Sequence, residues 1–294
     1  MRVVRPTPCS WNSSRSPMSF SLTFLGTGTS YGVPVIGCRC DTCTSNDPRD
    51  KRTRHGALLR FGNRRLLVDT PPELRLQLLR EDVSSLDAVW FTHAHADHIH
   101  GIDDLRVFTA LHGARISAWM HRSVARQLRR RFPYIFDARP RPSDGVFLPE
   151  LDVFTFREGR PVDIVDRVFL PLGVPHGGVR SYGFRVGGLG YVTDAKQLPR
   201  ATLEGLKGAE LLVLNALWYG DPHPTHFNIE EAVAAARAVG ARRTYLTHLT
   251  HRVRHDDLCR RLPEDIRPAF DGLTLKVEDG CAEPRRSPSS AERA

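Results

Sequence analysis

The sequence predicts an α+β domain, with strands joined through helices so that functional side chains collect at one end of a sheet. Three observations carry that expectation. Short apolar runs recur and stop at a polar residue, namely Asp69, His93, Asp194 and His248. Helical segments with readable caps stand between them, residues 228–239 being the plainest. Finally, Thr92-His93-Ala94-His95-Ala96-Asp97-His98 gathers three imidazoles and a carboxylate within six residues, directly after the apolar run Ala88–Phe91.

An isolated histidine is usually a surface or core residue. Four ligating side chains where a strand gives way to a loop are a stronger signal. A tight turn there can aim His93 and His95 at one point and Asp97 and His98 at a neighbouring one. Imidazole nitrogen and carboxylate oxygen suit zinc, manganese and iron. The motif reads as half of a two-metal hydrolytic centre.

The chain has 294 residues, 40% hydrophobic and 26% charged, as in a globular protein with a substantial core. No apolar run approaches the roughly 18 residues that span a membrane. The formal net charge is +9, of which residues 1–18 and 281–294 hold +4, leaving +5 on the body. That balance favours an anionic substrate without demanding nucleic acid. Three of the six cysteines, Cys38, Cys40 and Cys43, are crowded together. A disulfide scaffold would spread them out, so a reducing, cytoplasmic location and a metal site are expected.

Residues 1–18, rich in Ser, Arg and Pro, lack the apolar stretch of a secretory signal and read as a disordered tail. Residues 19–25 alternate as a strand does. Gly26-Thr27-Gly28-Thr29-Ser30-Tyr31-Gly32 then reads as a tight turn beside the site, since no Lys-Ser/Thr follows and no helix opens after it. The three thiols of residues 38–43 can wrap one ion with a fourth ligand from elsewhere. A redox pair, Cys40 and Cys43, is the rival reading.

Residues 57–61 and 65–68 form a hairpin around Gly62-Asn63, ending at Asp69. Asp69 is expected to orient a metal-bound imidazole. A helix follows to about Arg80, with Thr70 as its cap. Residues 102–112 read as a helix, and His100, His112 and His121 are assigned to solvent. Residues 123–131 form a basic helix running into the proline-rich stretch 133–142. That patch suits an anion or RNA, although a solvated face is the simpler reading.

Residues 146–148, 153–156 and 164–172 are strand-like, the last leading to His176. A hairpin then exits at Asp194, and residues 211–214 lead to Asn215. The helix 228–239 carries Asn228 as cap, Glu231 three residues on and Gly240 past its end. His226 precedes it. Residues 244–247 deliver His248, with His251 three residues later. Residues 252–262 look helical, 273–277 form a last strand, and 281–294 read as a flexible tail.

On these residues the chain resembles the metallo-β-lactamase superfamily. His93, His95, Asp97, His98, His176, Asp194 and His248 stand in that family's order. It is most similar to the phosphoribosyl cyclic phosphodiesterases of the PhnP type, over nearly all of residues 19–280, a span expected to form one hydrolase domain. That likeness includes residues 24–29, the cysteine triplet, residues 246–251 and Phe270-Asp271-Gly272-Leu273. The resemblance implies an αββα four-layer sandwich. It implies that His93, His95 and His176 hold one divalent metal, Mn or Zn. It assigns Asp97, His98 and His248 to the second, with Asp194 bridging. It further implies a structural Zn on Cys38, Cys40, Cys43 and His251, and catalytic roles for Asp97 and His226.

The function implied is hydrolysis of a small cyclic or diester phosphate, with phosphoribosyl 1,2-cyclic phosphate the specific candidate. A ribonuclease is the second reading, supported by the basic segment 126–142. A non-hydrolytic protein, like the fold's relative in pyrroloquinoline quinone synthesis, is the third. The expected partner is a small anionic phosphodiester, with nucleic acid less favoured, no membrane, and a homodimer left open.

Overall fold

In a computed structural model the described residues are 19–137 and 147–278, with the backbone of 292–293. The N-terminal tail, most of 281–294, residues 138–142 of the proline-rich stretch and Val146 lie outside them.

Two mixed sheets face one another. The first contains β1 (Phe20–Gly26), β2 (Gly56–Phe61), β3 (Arg64–Val68), β4 (Ala88–Phe91), β5 (Ile116–His121) and β6 (Leu151–Phe156). The second contains β7 (Val162–Ile164), β8 (Arg167–His176), β9 (Val179–Val186), β10 (Leu189–Val192), β11 (Leu211–Asn215), β12 (Arg243–Thr247) and β13 (Ile266–Pro268). Strands β14 (Thr274–Val277) and β15 (Glu292–Arg293) flank the first sheet beside β1 and β6. The helices are α1 (Asp41–Thr44), α2 (Leu74–Arg80), α3 (Ala96–Ile99), α4 (Arg106–His112), α5 (Arg122–Arg131), α6 (Pro133–Phe136), α7 (Arg200–Leu206), α8 (Ile229–Val239) and α9 (His255–Arg261).

The side-chain period of a strand explains the layers. On β11, Leu211 and Val213 enter the core between the sheets. Leu212 and Leu214 point the other way, into a second core with Ile229, Ala232 and Ala236 of α8 and Leu258 of α9. A sheet buried on both faces reads as a continuous apolar run, as β11 does. On the first sheet, Leu74 and Leu78 of α2 and Val124 and Leu128 of α5 join the inter-sheet core's cluster. Trp90 pins the sheets together. Its indole N–H donates to the Tyr182 carbonyl at 2.8 Å, and its ring stacks on Phe156 at 4.2 Å.

Strands β3–β6 run parallel, as do β10–β13. Their register brings their C-terminal ends level: Val192 lies opposite Leu214, and Asn215 opposite Thr247. That alignment puts residues far apart in sequence at one rim.

Several local expectations are corrected. Thr70 does not cap α2, because the helix opens only at Leu74 with Glu73 in the N-cap position, while Thr70 donates its N–H to the His98 carbonyl at 2.8 Å. Residues 164–172 are not one strand: Val165 and Asp166 take positive φ and turn β7 back against β8. The stretch 102–112 opens as a 3-10 turn before α4. Residues 252–262 are helical only over α9. Residues 147–150 form no strand. His121 is not a solvent residue: it stacks on Tyr182 at 4.4 Å and caps α5 by accepting the Ser123 N–H. The capping box of α8 forms as expected between Asn228 and Glu231.

Candidate metal centre

The site is assembled on strand ends. Val68 is followed by Asp69, Phe91 by Thr92 and His93, Val192 by Thr193 and Asp194, and Thr247 by His248. Asp69, Asp194 and His248 all hold left-handed backbone, with φ of 61°, 57° and 59°. Such residues are uncommon outside glycine and collect at functional sites. Asn215 braces one of these turns, with its side-chain amide bonded both to the Ala195 N–H and to the Ala195 carbonyl.

His93, His95, His176 and Asp194 form one group of converging ligand atoms, and Asp97, His98 and His248 a second. Within the first, His93 Nε2 and His176 Nε2 lie 3.0 and 3.1 Å from His95 Nδ1. Asp194 stands between the groups. Its Oδ2 is 3.7 Å from His93 Nε2, 3.6 Å from His176 Nε2 and 3.5 Å from His98 Nε2, while its Oδ1 is 3.4 Å from His248 Nε2.

Hydrogen bonds on the far side of the rings assign the tautomers. His98 Nδ1 donates to Asp69 Oδ2 at 2.7 Å, and His176 Nδ1 donates to the Thr225 carbonyl at 3.1 Å. Thr92 Oγ1 donates to Asp69, so its oxygen accepts from His93 Nδ1 at 3.0 Å. Each of the three rings therefore turns a bare Nε2 lone pair inward. His98 Nε2 and both ring nitrogens of His248 are buried without a hydrogen-bond partner. Buried lone pairs facing carboxylates repel unless a cation lies between them. This donor set fits divalent metal ions.

For four of the five ring ligands the electrostatics agree. Burial pushes His93, His95 and His176 below the ordinary imidazole range and His248 down to about 4. They are thereby kept neutral, the form that ligates. Burial acts on His98 in the same direction, but Asp194, Asp97 and Asp69 outweigh it and push its pKa up.

Elsewhere, Cys38, Cys40 and Cys43 place their sulfurs 3.3, 3.5 and 3.6 Å from His251 Nδ1. A tetrahedron with bonds of about 2.3 Å to sulfur and about 2.0 Å to nitrogen has S···N edges of about 3.5 Å. The set fits zinc. Cys40 stands at the N-cap of the one-turn α1, and the Cys43 backbone N–H is the chief reason its thiol is held down to about 6.

His226 is in the same cleft. Its Nε2 is 3.2 Å from Asp194 Oδ2, and its ring stacks on His248 at 4.9 Å. Asp97 lines the cleft too, with Oδ2 3.5 Å from His98 Nε2.

The profile of the Beta-lactamase superfamily domain matches residues 64–249. The chain belongs to the metallo-β-lactamase superfamily. Its solved relatives include a diphosphatase of the PhnP family, 37% identical, with a TM-score of 0.82, covering 90% of this chain and 99% of that one. The octanoyltransferase of Porphyromonas gingivalis is 35% identical over 87% of this chain, which spans about half (51%) of that protein's length. Ribonuclease Z of Pyrobaculum aerophilum is 23% identical over 72% of this chain and 88% of its own. By fold and ligand chemistry this superfamily member stands among metal-dependent hydrolases, with PhnP-like and ribonuclease Z-like relatives. Among its described residues no helix is long and apolar enough to cross a membrane.

Sequence reasoning missed three parts of this superfamily member's site. His55 is fully buried behind the second group, bonded to the Tyr191 hydroxyl at 2.6 Å and to Thr247 Oγ1 at 3.1 Å. His223 lies 3.3 Å from His226, nitrogen to nitrogen. Arg131, counted in the basic patch, donates to the Ala94 carbonyl inside the histidine motif. His55 and Arg131 carry no distinguishing local pattern. The spacing of His223 and His226 in one loop was a usable signal.

Proposed function

We propose that this hydrolase cleaves a small cyclic or diester phosphate, with phosphoribosyl 1,2-cyclic phosphate the specific candidate. The observation that supports it most is the set of inward-facing Nε2 atoms of His93, His98 and His176 around Asp194. His93, His95 and His176 would hold one divalent ion, manganese or zinc, and Asp97, His98 and His248 the other, with Asp194 shared. Two such ions supply an activated water and offset charge on the phosphoryl oxygens. His226, which no hydrogen bond from Asp69 or Thr92 recruits, would carry a proton on Nε2 for the departing oxygen. The Cys38, Cys40, Cys43 and His251 cluster would hold a separate, structural zinc. The likeness to a PhnP-family diphosphatase agrees with hydrolysis at phosphorus.

Ribonuclease activity is the second reading. Helix α5, with Arg126, Arg129 and Arg130, and the ribonuclease Z relatives favour it. The test is a panel containing a cyclic ribose phosphate, a chromogenic diester and single-stranded RNA. Metal-dependent turnover of the small esters, with RNA untouched, is expected. Cleavage of RNA in preference to both small esters would sink the first reading.

A further inference from the structure

The two ligand groups occupy one end of the cleft. A second lobe of about 440 Å³ opens beside them and shares Ser30, His226 and His248 with the metal-bearing lobe. One wall carries Tyr31 and Val35, and the other Trp218 and Arg252. The Arg252 guanidinium lies over the Trp218 ring, 4.3 Å from its centroid. A guanidinium held over a ring by this attraction can still bond an anion through its N–H groups. Among the described residues no carboxylate lines this lobe. Among the described residues Arg252 forms no ion pair, whereas its neighbour Arg254 faces Asp50.

The walls come from opposite ends of the chain and are joined at three places. One is a backbone bond, Leu249 N–H to the Thr27 carbonyl at 2.8 Å. Another is Arg52, whose guanidinium donates to the Thr250 carbonyl at 2.6 Å while its backbone pairs with Val33. The third is the cysteine cluster: Cys43 Sγ accepts the Val35 N–H at 3.3 Å, and the sulfurs surround His251, the residue before Arg252. Thr250 fixes the Arg252 side to the Trp218 side by donating to the Leu217 carbonyl at 2.9 Å. Of the three, the cluster is the tie that joins Val35 to the residue beside Arg252.

We infer that Arg252 is a specificity-determining residue for negative charge carried by the substrate beyond its scissile phosphorus, and that the cysteine cluster positions this subsite by setting the width of the lobe. The inference rests on the phosphodiesterase reading for its substrate and on the second lobe for its site. Charge-assisted hydrogen bonds to a guanidinium commonly change binding about ten-fold or more.

The test uses the full chain loaded with metal and two diesters that differ only in whether the leaving group bears a phosphate. Arg252→Gln should raise KM for the phosphate-bearing diester about ten-fold with kcat within about two-fold. Its preference for that substrate should fall by the same factor. Cys40→Ser, assayed well below its melting temperature, should raise the same KM while the active-site metals stay bound. A purely structural cluster would lower Tm and leave that KM alone. A readout apart from turnover is quenching of Trp218 fluorescence by inorganic phosphate, with Trp218→Phe as the control for the signal. Arg252→Gln should weaken that titration about ten-fold. Equal KM changes on both diesters, a fall confined to kcat, or an unchanged phosphate titration would overturn the assignment. If the unmodified chain cleaves neither diester, the phosphodiesterase reading fails, and the phosphate titration decides the subsite by itself.

Discussion

His98 Nδ1 donates to Asp69 Oδ2 at 2.7 Å, and neither side chain is reached by solvent. Asp69 also accepts the Thr92 N–H at 2.8 Å and the Thr92 hydroxyl at 2.7 Å. One carboxylate thus sets both the His98 tautomer and the start of the histidine motif. Asp69→Asn tolerates the left-handed backbone but cannot accept all three donors. Metal affinity should fall about 10- to 100-fold, with the fold retained. Metal titration followed by circular dichroism checks this, and unaltered affinity would remove Asp69 from the support of the centre.

Loss of one thiol should separate the two kinds of metal site. Cys40→Ser leaves three of the four side chains around the cluster. The variant should bind one metal equivalent fewer and melt several degrees lower, because metal binding to such a site is coupled to folding. Elemental analysis with a melting curve reads both. Full metal content at an unchanged Tm contradicts zinc at the cluster.

His226 is offered as a proton carrier, so its removal should spare the metals. His226→Ala should lower kcat about 10²- to 10⁴-fold, the usual worth of a positioned acid or base. Both active-site ions should remain by elemental analysis. Ion loss would instead make the 3.2 Å approach of His226 to Asp194 that of a ligand partner.

His121 yields a pH prediction away from the metals. Burial, aided by Arg122, pushes its pKa below the ordinary imidazole value. The folded chain then binds this proton less readily than the unfolded chain. The associated stability is complete above an ordinary pKa of about 6.5 and is lost as pH falls through the lower folded value. His121→Asn keeps a cap acceptor for α5 and removes the titration. The drop in Tm between about pH 7.5 and pH 5.5 should be smaller in the variant by a degree or two. An equal or larger drop refutes a buried neutral His121.

Much of the architecture was legible because it is written in local periodicity. The α8 capping box, the two-sided apolar runs of β4 and β11 and the turn at Gly62 are decisions of neighbouring residues. The failures are equally physical. Val165 sits in a stretch that reads as one strand, yet the chain reverses there because β8 pairs with β9 over the eight residues Phe169–His176 and β7 must fold back to join it. Thr70 looks like a cap, but a tertiary bond to His98 holds it in the preceding turn and the helix opens four residues later, at Leu74.

By itself the sequence determined which side chains were available for chemistry: the cluster from His93 to His98, the thiols of Cys38, Cys40 and Cys43, and strand-ending residues such as Asp194 and His248. Tertiary structure alone decided how they point. Asp69 turning the bare Nε2 of His98 inward, His55 beneath His248, and Arg252 over Trp218 all join segments distant along the chain. Such contacts depend on strand register and on a few left-handed backbone angles, and no local spacing of residues encodes either.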